Sequence, residues 1–205
     1  MATKHAKTLD DQMFNRLLAS VARGEHGVRD QVMILLSYKA GLRAQEIAGL
    51  DWADVCDAEG AVRTDFLFIP SDIAKNKRER QVPMHPHLSL TLSMLRGERP
   101  KDIGVVYGSA GSSTEYGTRR KRKPNPRMSP IAVRVWFKRL YDRLELEGCS
   151  SHSGRRTFIT RLARRSGLHD CSIKDVQNLA GHAHLGTTEA YIEPSPNVAR
   201  LVAAI

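Results

Sequence analysis

The chain has 205 residues, of which 41% are hydrophobic, and a formal net charge of +10 at pH 7. This length supports one hydrophobic core, and the positive charge favours a polyanionic partner, most often nucleic acid. No apolar run approaches the roughly 20 residues of a membrane span, and no apolar stretch of a signal peptide follows the charged N-terminus. Cys56, Cys149 and Cys171 are odd in number and scattered, which does not suit a disulfide framework. We therefore expect a cytoplasmic protein without membrane association.

The N-terminal segment is predicted to be helical. The first helix covers residues 8–23, and its apolar face consists of Met13, Leu17, Leu18 and Val21. A second, more apolar helix covers residues 32–40 and ends at Gly41, a plausible C-cap. A short third helix follows Arg43.

Residues 61–84 change to a strand pattern. Two apolar runs, 66–69 and 81–84, flank a polar connection, which predicts a β-hairpin. Its tip, residues 75–78, is basic and contains Lys75, Lys77 and Arg78. A helix over about 87–96 follows.

The remaining segments are predicted from turn residues and helical spacing. Residues 108–127 are rich in Gly and Ser and then strongly basic, which indicates a loop. Ser129-Pro130 starts a well-marked helix. Further helices are expected at 153–165, 172–180 and about 187–192, with one more possible in the tail. The predicted fold class is mainly α with a small antiparallel β-sheet (α+β), in a single domain over residues 1–205.

Three polar motifs lie in the last third of the chain, on segments that are otherwise apolar in their periodicity. They are His152-Ser-Gly-Arg155, then Gly181-His182, then Tyr191 nine residues later. A phosphodiester would use all of these groups, because arginine and histidine donors neutralise phosphate oxygens and a phenol can attack phosphorus. The sequence therefore indicates phosphoryl-transfer chemistry.

Together with Gly41-Leu-Arg43-Ala-Gln-Glu46, these motifs resemble the tyrosine recombinase (phage integrase) family. The resemblance covers about residues 8–195 and corresponds to the catalytic domain of that family. It implies a site-specific recombinase that cuts and rejoins DNA by transesterification through a 3′-phosphotyrosyl intermediate. The implied partners are double-stranded DNA and three further copies of the chain, as a homo-tetramer on paired sites, with a nucleoid-associated location in the cytoplasm.

Each candidate catalytic residue has a chemical role. Tyr191 is the nucleophile and covalent carrier. Arg43 and Arg155 clamp two phosphate oxygens, since the planar guanidinium fork matches them. His152 takes and returns the tyrosine proton, and His182 hydrogen-bonds a non-bridging oxygen. By similarity to the family, Lys75 protonates the leaving 5′-oxygen, with Lys77 as the alternative. No metal or other cofactor is required.

Other interpretations of these residues stay open. Arg43 could simply pair with Glu46, and Tyr191 alone would most often be a core tyrosine. A zinc site at Cys171, His182 and His184 lacks a fourth ligand at the usual spacing. DNA phosphate contact is expected from the basic positions outside the catalytic set, although a solvated charge run is the ordinary explanation for such a segment. These positions are Lys77, Arg78, Arg119, Arg120, Lys121, Arg122 and Lys123.

The catalytic-like region begins by about residue 8, so no N-terminal core-binding domain of the kind common in the family is expected. The apolar tail, 196–205, is expected to pack either on its own protomer or on a neighbour. Two alternative functions stay open. One is a type IB topoisomerase-like enzyme, which would use the same chemistry only to relax DNA, and the other is a DNA-binding regulator that has lost catalysis. A metal-dependent nuclease is disfavoured by the absence of a carboxylate cluster.

Overall fold

The structure, a computed structural model, describes residues 6–108 and 127–192. In these ranges the chain is mainly helical, with one small antiparallel sheet, which confirms the predicted fold class. The helices are α1 (Asp11–Ala22), α2 (Gly27–Lys39), α3 (Ala44–Gly49), α4 (Pro86–Glu98), α5 (Pro130–Arg143), α6 (Ser153–Arg165), α7 (Ile173–Ala180) and α8 (Leu185–Glu189). The strands are β1 (Phe66–Ile69) and β2 (Arg80–Pro83).

Helix α2 is the centre of the main core and packs against α1, α4 and α6. Its residues from Val32 to Leu36 are almost completely buried, which explains why the sequence there shows an apolar run without a polar face. Helix α1 begins at a cap in which the Asp10 side chain accepts a hydrogen bond from the Met13 amide. Its Phe14 ring stacks on Tyr38 of α2, with ring centroids 3.9 Å apart.

The hairpin pairs β1 and β2 antiparallel, with Leu67 opposite Val82 and Ile69 opposite Arg80. Leu67, Ile69 and Val82 point into the core, so one face of the sheet is buried and the register is specified by that burial. The predicted hairpin is confirmed. Its connection, residues 70–79, extends towards α7, which contacts β2.

The C-terminal helices place the candidate residues close together. Helix α5 packs on α3, and α6 packs on α2 with Gly154 at the close approach: a Cβ there would lie 2.4 Å from the Ser37 hydroxyl oxygen. A second, smaller apolar cluster joins α6 and α7 through Ile159 and Val176, and Tyr191 packs against its edge.

Several helix boundaries differ from the sequence prediction by a few residues; α1, for example, covers Asp11–Ala22 where 8–23 was predicted. Helix α2 begins at Gly27, five residues early, because the buried Arg29 guanidinium is satisfied by the Tyr107 carbonyl and the Asp30 carboxylate. Helix α8 ends at Glu189, so Tyr191 follows the helix and is not part of it. The basic positions 119–123 and the tail 196–205 lie outside the described residues, and the single domain over 1–205 stays a prediction. None of the helices in the described ranges is long and apolar enough to cross a bilayer.

Candidate active site

Arg43 lies at the N-terminus of α3, directly after the turn that ends α2. Gly41 makes this turn with φ +65°, and a Cβ there would also collide with the Phe158 ring at 2.3 Å. The Arg43 amide donates to Glu46 Oε2 at 2.8 Å, and its Nη1 donates to Glu46 Oε1 at 3.1 Å. This reciprocal contact with the third helical residue orients the Arg43 side chain, which stays 16% exposed.

The Glu46 carboxylate is fully buried and holds a second arginine, Arg80 of β2. Arg80 Nη1 and Nη2 donate to Glu46 Oε1 and Oε2 at 3.0 and 2.9 Å, a bidentate pair. Burial alone would raise the pKa of Glu46, but the hydrogen bonds and charges of Arg80 and Arg43 lower it below its ordinary value. Glu46 is therefore an anion that positions two cations.

Arg155 extends from the first turn of α6 into a buried site, where it is 3% exposed. Its Nη1 donates to the Gly41 carbonyl at 2.6 Å, and its Nη2 donates to the Ala180 carbonyl at 2.5 Å and to His182 Nε2 at 3.0 Å. Burial, followed by the charge of Arg43, lowers the pKa of Arg155, which nevertheless remains protonated at neutral pH. Three of its five N–H donors are used in these bonds.

His182 follows Gly181, which ends α7 in the left-handed region with φ +60°. Because arginine can only donate, Nε2 of His182 accepts from Arg155, and Nδ1 carries the proton towards the Thr188 hydroxyl at 3.0 Å. Burial, and then the positive charge of Arg155, lowers the pKa of His182 to about 4. The ring is thus neutral, and both of its nitrogens have protein partners.

Tyr191 lies just beyond α8 with its ring half-buried. The ring stacks on His182 with centroids 5.6 Å apart and an interplanar angle of 26°. The Arg156 guanidinium lies 5.4 Å from the centroid of the Tyr191 ring, and the Thr160 hydroxyl donates to the Tyr191 carbonyl at 3.3 Å. Tyr191 is therefore adjacent to the bonded pair of His182 and Arg155, because its ring contacts the histidine directly.

His152 occupies the cap position of α6, with its side chain exposed beside the buried groups. Loss of solvent around the ring lowers the pKa of His152, and the next largest effects are the positive charges of Arg155 and Arg134, followed by Arg43 and Lys75. The imidazole is consequently neutral at pH 7 and can accept a proton.

The hairpin connection brings two lysines to the edge of the site, and their surroundings differ. Lys75 is exposed, and its charge acts on His152. Lys77 has a left-handed backbone, φ +53°, and its Nζ turns back to the Asp72 carbonyl at 3.4 Å. Asn76, between them, donates from Nδ2 to the Gly181 carbonyl at 3.0 Å.

The structure thus joins Arg155, His182 and Tyr191 by direct contacts. Arg43 lies close enough for its charge to act on Arg155, and Lys75 close enough for its charge to act on His152. Lys77 and the exposed Arg78 lie on the adjoining connection. Sequence reasoning missed Arg80, which directly precedes the predicted strand 81–84, and Thr188, whose buried hydroxyl orients His182. Arg80 lines a cavity of about 220 Å³ with Arg78, between the connection and the end of α7. The only signal for Arg80 in the sequence was its place as a basic residue directly before Gln81-Val-Pro.

The arrangement suits a phosphate ester. The positive charges of Arg43 and Lys75 act on the neutral His152, and the charge of Arg43 acts on Arg155, so cationic groups surround an imidazole that can accept a proton. Among residues 6–108 and 127–192, no three His, Cys, Asp or Glu side chains meet in an arrangement that could hold a metal ion. The exposed Cys171 thiol bonds to the His169 carbonyl.

Comparison with known proteins identifies relatives by sequence. Tyrosine recombinase XerC of Proteus mirabilis is 30% identical over 193 residues, and XerC of Actinobacillus pleuropneumoniae serotype 7 is 27% identical over 190; each match covers 90% of this chain and 54% of the relative. The chain therefore spans about half the length of these curated relatives.

Two solved structures share the fold. The Tn1549 transposon integrase in complex with transposon right end DNA superposes with a TM-score of 0.74 at 17% identity, covering 99% of this chain and 66% of the integrase. The XerA recombinase gives 0.69 at 18% identity, covering 100% of this chain and 65% of XerA. The sequence model described as "Phage integrase family" matches residues 7–197, nearly the whole chain. The protein is thus a member of the phage integrase family.

Proposed function

We propose that this chain is the catalytic unit of a site-specific recombinase that cuts and rejoins DNA through a 3′-phosphotyrosyl intermediate. The observation that carries the proposal is the stacking of the Tyr191 ring on His182, whose Nε2 is bonded to Arg155. A core tyrosine needs only apolar neighbours, whereas this phenol ring lies against a histidine that is bonded to a buried cation.

The reaction is a transesterification. The Tyr191 Oη–P bond forms as the P–O5′ bond breaks, the phenol proton passes to His152, and Lys75 gives a proton to the departing O5′. Rejoining reverses these transfers when a 5′-hydroxyl attacks the phosphotyrosine. Since the bond energy is kept in the phosphotyrosine, no ATP is consumed.

Arg43 and Arg155 bind the non-bridging oxygens in this proposal. Arg155 has two N–H donors beyond the three used in its bonds to the described residues, and Glu46 holds Arg43 at the rim of the site. His182 orients Arg155 from behind; direct contact with a phosphate oxygen, the role expected from the sequence, would need its Nε2 to be released from Arg155. Preorganised donors of this kind are worth about 3–4 kcal/mol each in a transition state.

Lys75 is favoured over Lys77 as the general acid. Its charge reaches His152, while Lys77 Nζ is turned to the Asp72 carbonyl and its backbone is left-handed. Lys77 and Arg78 are exposed on the same connection and are proposed to contact DNA phosphates, together with the basic segment 119–123. Each such contact should add close to one unit to the log–log salt slope of binding.

The solved neighbours support DNA as the partner. The XerH site-specific recombinase was solved bound to its difH substrate in a pre-cleavage complex, and a lambda integrase dimer was solved on a core site. By this analogy we propose double-stranded DNA as the substrate, a tetramer on paired sites as the active assembly, and the tail 196–205 as a segment that packs on a neighbouring protomer or on its own.

The test is covalent capture. The wild-type chain, incubated with a duplex nicked close to the cleavage point, should form a protein–DNA adduct that resists SDS. Tyr191→Phe should form none, while Tyr141→Phe, a matched change in the buried face of α5, should form it normally. An adduct at any residue other than Tyr191 would overturn the assignment. DNA binding without any adduct in the wild type would indicate a non-catalytic regulator.

A further inference from the structure

Three consecutive carbonyls at the C-terminal end of α7 accept hydrogen bonds from side chains on other elements. The Leu179 carbonyl accepts from Arg80 Nε at 3.1 Å, the Ala180 carbonyl from Arg155 Nη2 at 2.5 Å, and the Gly181 carbonyl from Asn76 Nδ2 at 3.0 Å. The last carbonyls of a helix have no partner within the helix and carry partial negative charge. Here they join the hairpin and α6 to one turn.

Asn76 differs from the two arginines in what it fixes. Arg80 lies at the start of β2 and is also held by Glu46, and Arg155 is buried. Asn76 is exposed, belongs to the hairpin connection and directly follows Lys75, and its bond spans 105 residues of sequence. Before Lys75, the connection is held by the buried Ala74 and by Gln45, whose Nε2 donates to the Ile73 carbonyl at 3.2 Å. Directly after Lys75, it is held by the bond from Asn76 to α7.

We propose that Asn76 is a positioning residue for Lys75. Its amide ties the hairpin connection to the turn that also holds Arg155 and His182, and so sets the distance between the Lys75 ammonium and the leaving oxygen. This inference rests on the proposed function, in which Lys75 is the general acid. Asn76 itself touches no reacting atom.

The chemistry gives a readout specific to proton donation. With a normal phosphodiester, the P–O5′ bond breaks and O5′ takes a proton from Lys75. When sulfur replaces O5′, the P–S bond breaks and the thiolate leaves without a proton, because a thiol titrates near about 8.5 whereas water, a guide for an alcohol, titrates near about 15.7. A defect in proton donation should therefore slow adduct formation on the oxygen substrate only, whereas a defect in phosphate binding by Arg43 and Arg155 should slow it on both substrates.

The experiment measures single-turnover formation of the Tyr191 adduct on matched duplexes with a bridging 5′-oxygen or 5′-sulfur. The variants are Asn76→Ala, Lys75→Ala and Asn178→Ala. Asn178 is the control because it is exposed, lines the 220 Å³ cavity that Asn76 also lines, and loses the same amide group on replacement by alanine. Unlike Asn76, its side chain makes no hydrogen bond to the described residues. Melting curves of the three variants check that each is folded.

Loss of one hydrogen bond should slow Asn76→Ala about fivefold on the oxygen substrate and less than about twofold on the sulfur substrate. Lys75→Ala should show a larger loss that sulfur also restores, and Asn178→Ala should match the wild type on both. Asn76→Gln, which keeps an amide donor, should recover part of the rate.

Two results for Asn76→Ala would overturn the inference: equal losses on both substrates, which would assign Asn76 to the binding of phosphate, or no loss on the oxygen substrate. Failure of sulfur to restore Lys75→Ala would also remove it, since Lys75 would then not be the acid. Absence of any adduct from the wild type on both substrates is a different result, because it refutes the proposed function itself.

Discussion

Replacement of Glu46 by glutamine should be severely destabilising, although the two side chains have the same shape. Glu46 Oε1 accepts from Arg43 Nη1 and Arg80 Nη1, and Oε2 accepts from the Arg43 amide and Arg80 Nη2. In either orientation, the amide group of glutamine would direct two N–H bonds at two donors. Two buried hydrogen bonds would be lost, and the arginines would keep their charges without a counter-ion.

The expected cost follows from this count. A hydrogen bond to a charged group contributes about 1.5–3 kcal/mol, and removal of one member of a buried ion pair costs about 3–5 kcal/mol. We expect Glu46→Gln to lower the free energy of unfolding by about 3–5 kcal/mol at pH 7. Urea titration followed by the fluorescence of Trp52 and Trp136 would measure it.

The pH dependence provides a second check on Glu46. Its pKa in the folded state lies below the ordinary 4.5, so its contribution is fully present above pH 4.5 and is lost as the pH falls through the folded pKa. The difference between wild type and Glu46→Gln should therefore be constant from about pH 7 to about pH 5.5 and shrink in more acidic solution. Glu147→Gln, an exposed control, should change little. A Glu46→Gln loss below about 1 kcal/mol at pH 7 would refute the reasoning.

Three further predictions concern neighbouring residues. His182 should show the Nδ1-protonated neutral tautomer by NMR at pH 7. Because its pKa is lowered from 6.5 to about 4, the free energy of unfolding of the wild type should decrease as the pH falls from about 6.5 to about 4, by an increment that His182→Gln lacks. A cationic His182 ring at about pH 6 would contradict this prediction. Arg155→Lys should reduce adduct formation at least about 100-fold while DNA binding measured by filter retention is kept. A single ammonium nitrogen cannot reach the acceptors that the planar guanidinium bonds from two nitrogens and also bind a phosphate. Equal losses of adduct formation and of DNA binding would contradict this prediction. Gly154→Ala should lower the free energy of unfolding in urea by about 1–3 kcal/mol, because the new Cβ would meet the Ser37 hydroxyl. Ser37→Ala removes that buried hydroxyl, which has no hydrogen-bond partner in the described structure, and should recover part of the loss in the double variant. Strictly additive effects would show that the two positions do not clash.

Local signals in the sequence were sufficient for most of the fold. The helical spacing of apolar residues in α5 and the Ser129-Pro130 start predict that helix correctly, since its cap and stripe are both local features. The apolar run of α2 predicts too short a helix, because the sequence around Arg29 resembles a polar surface segment although the distant Tyr107 carbonyl satisfies this buried side chain. The predicted helix at about 187–192 exists, but it covers Leu185–Glu189, because its buried position is the polar Thr188, which bonds to His182 and gives no apolar signal in the sequence.

The candidate site divides in the same way. The candidate catalytic residues can be recognised in the sequence, because phosphoryl transfer needs groups of these types and the motifs that contain them are short; they are Arg43, His152, Arg155, His182 and Tyr191. The way they are held emerges only on folding: Glu46 lies between two arginines, one of them on the hairpin, and three carbonyls of α7 bind Arg80, Arg155 and Asn76. These bonds join residues up to 105 positions apart, and pairing over such distances depends on how the core packs, which no local pattern encodes.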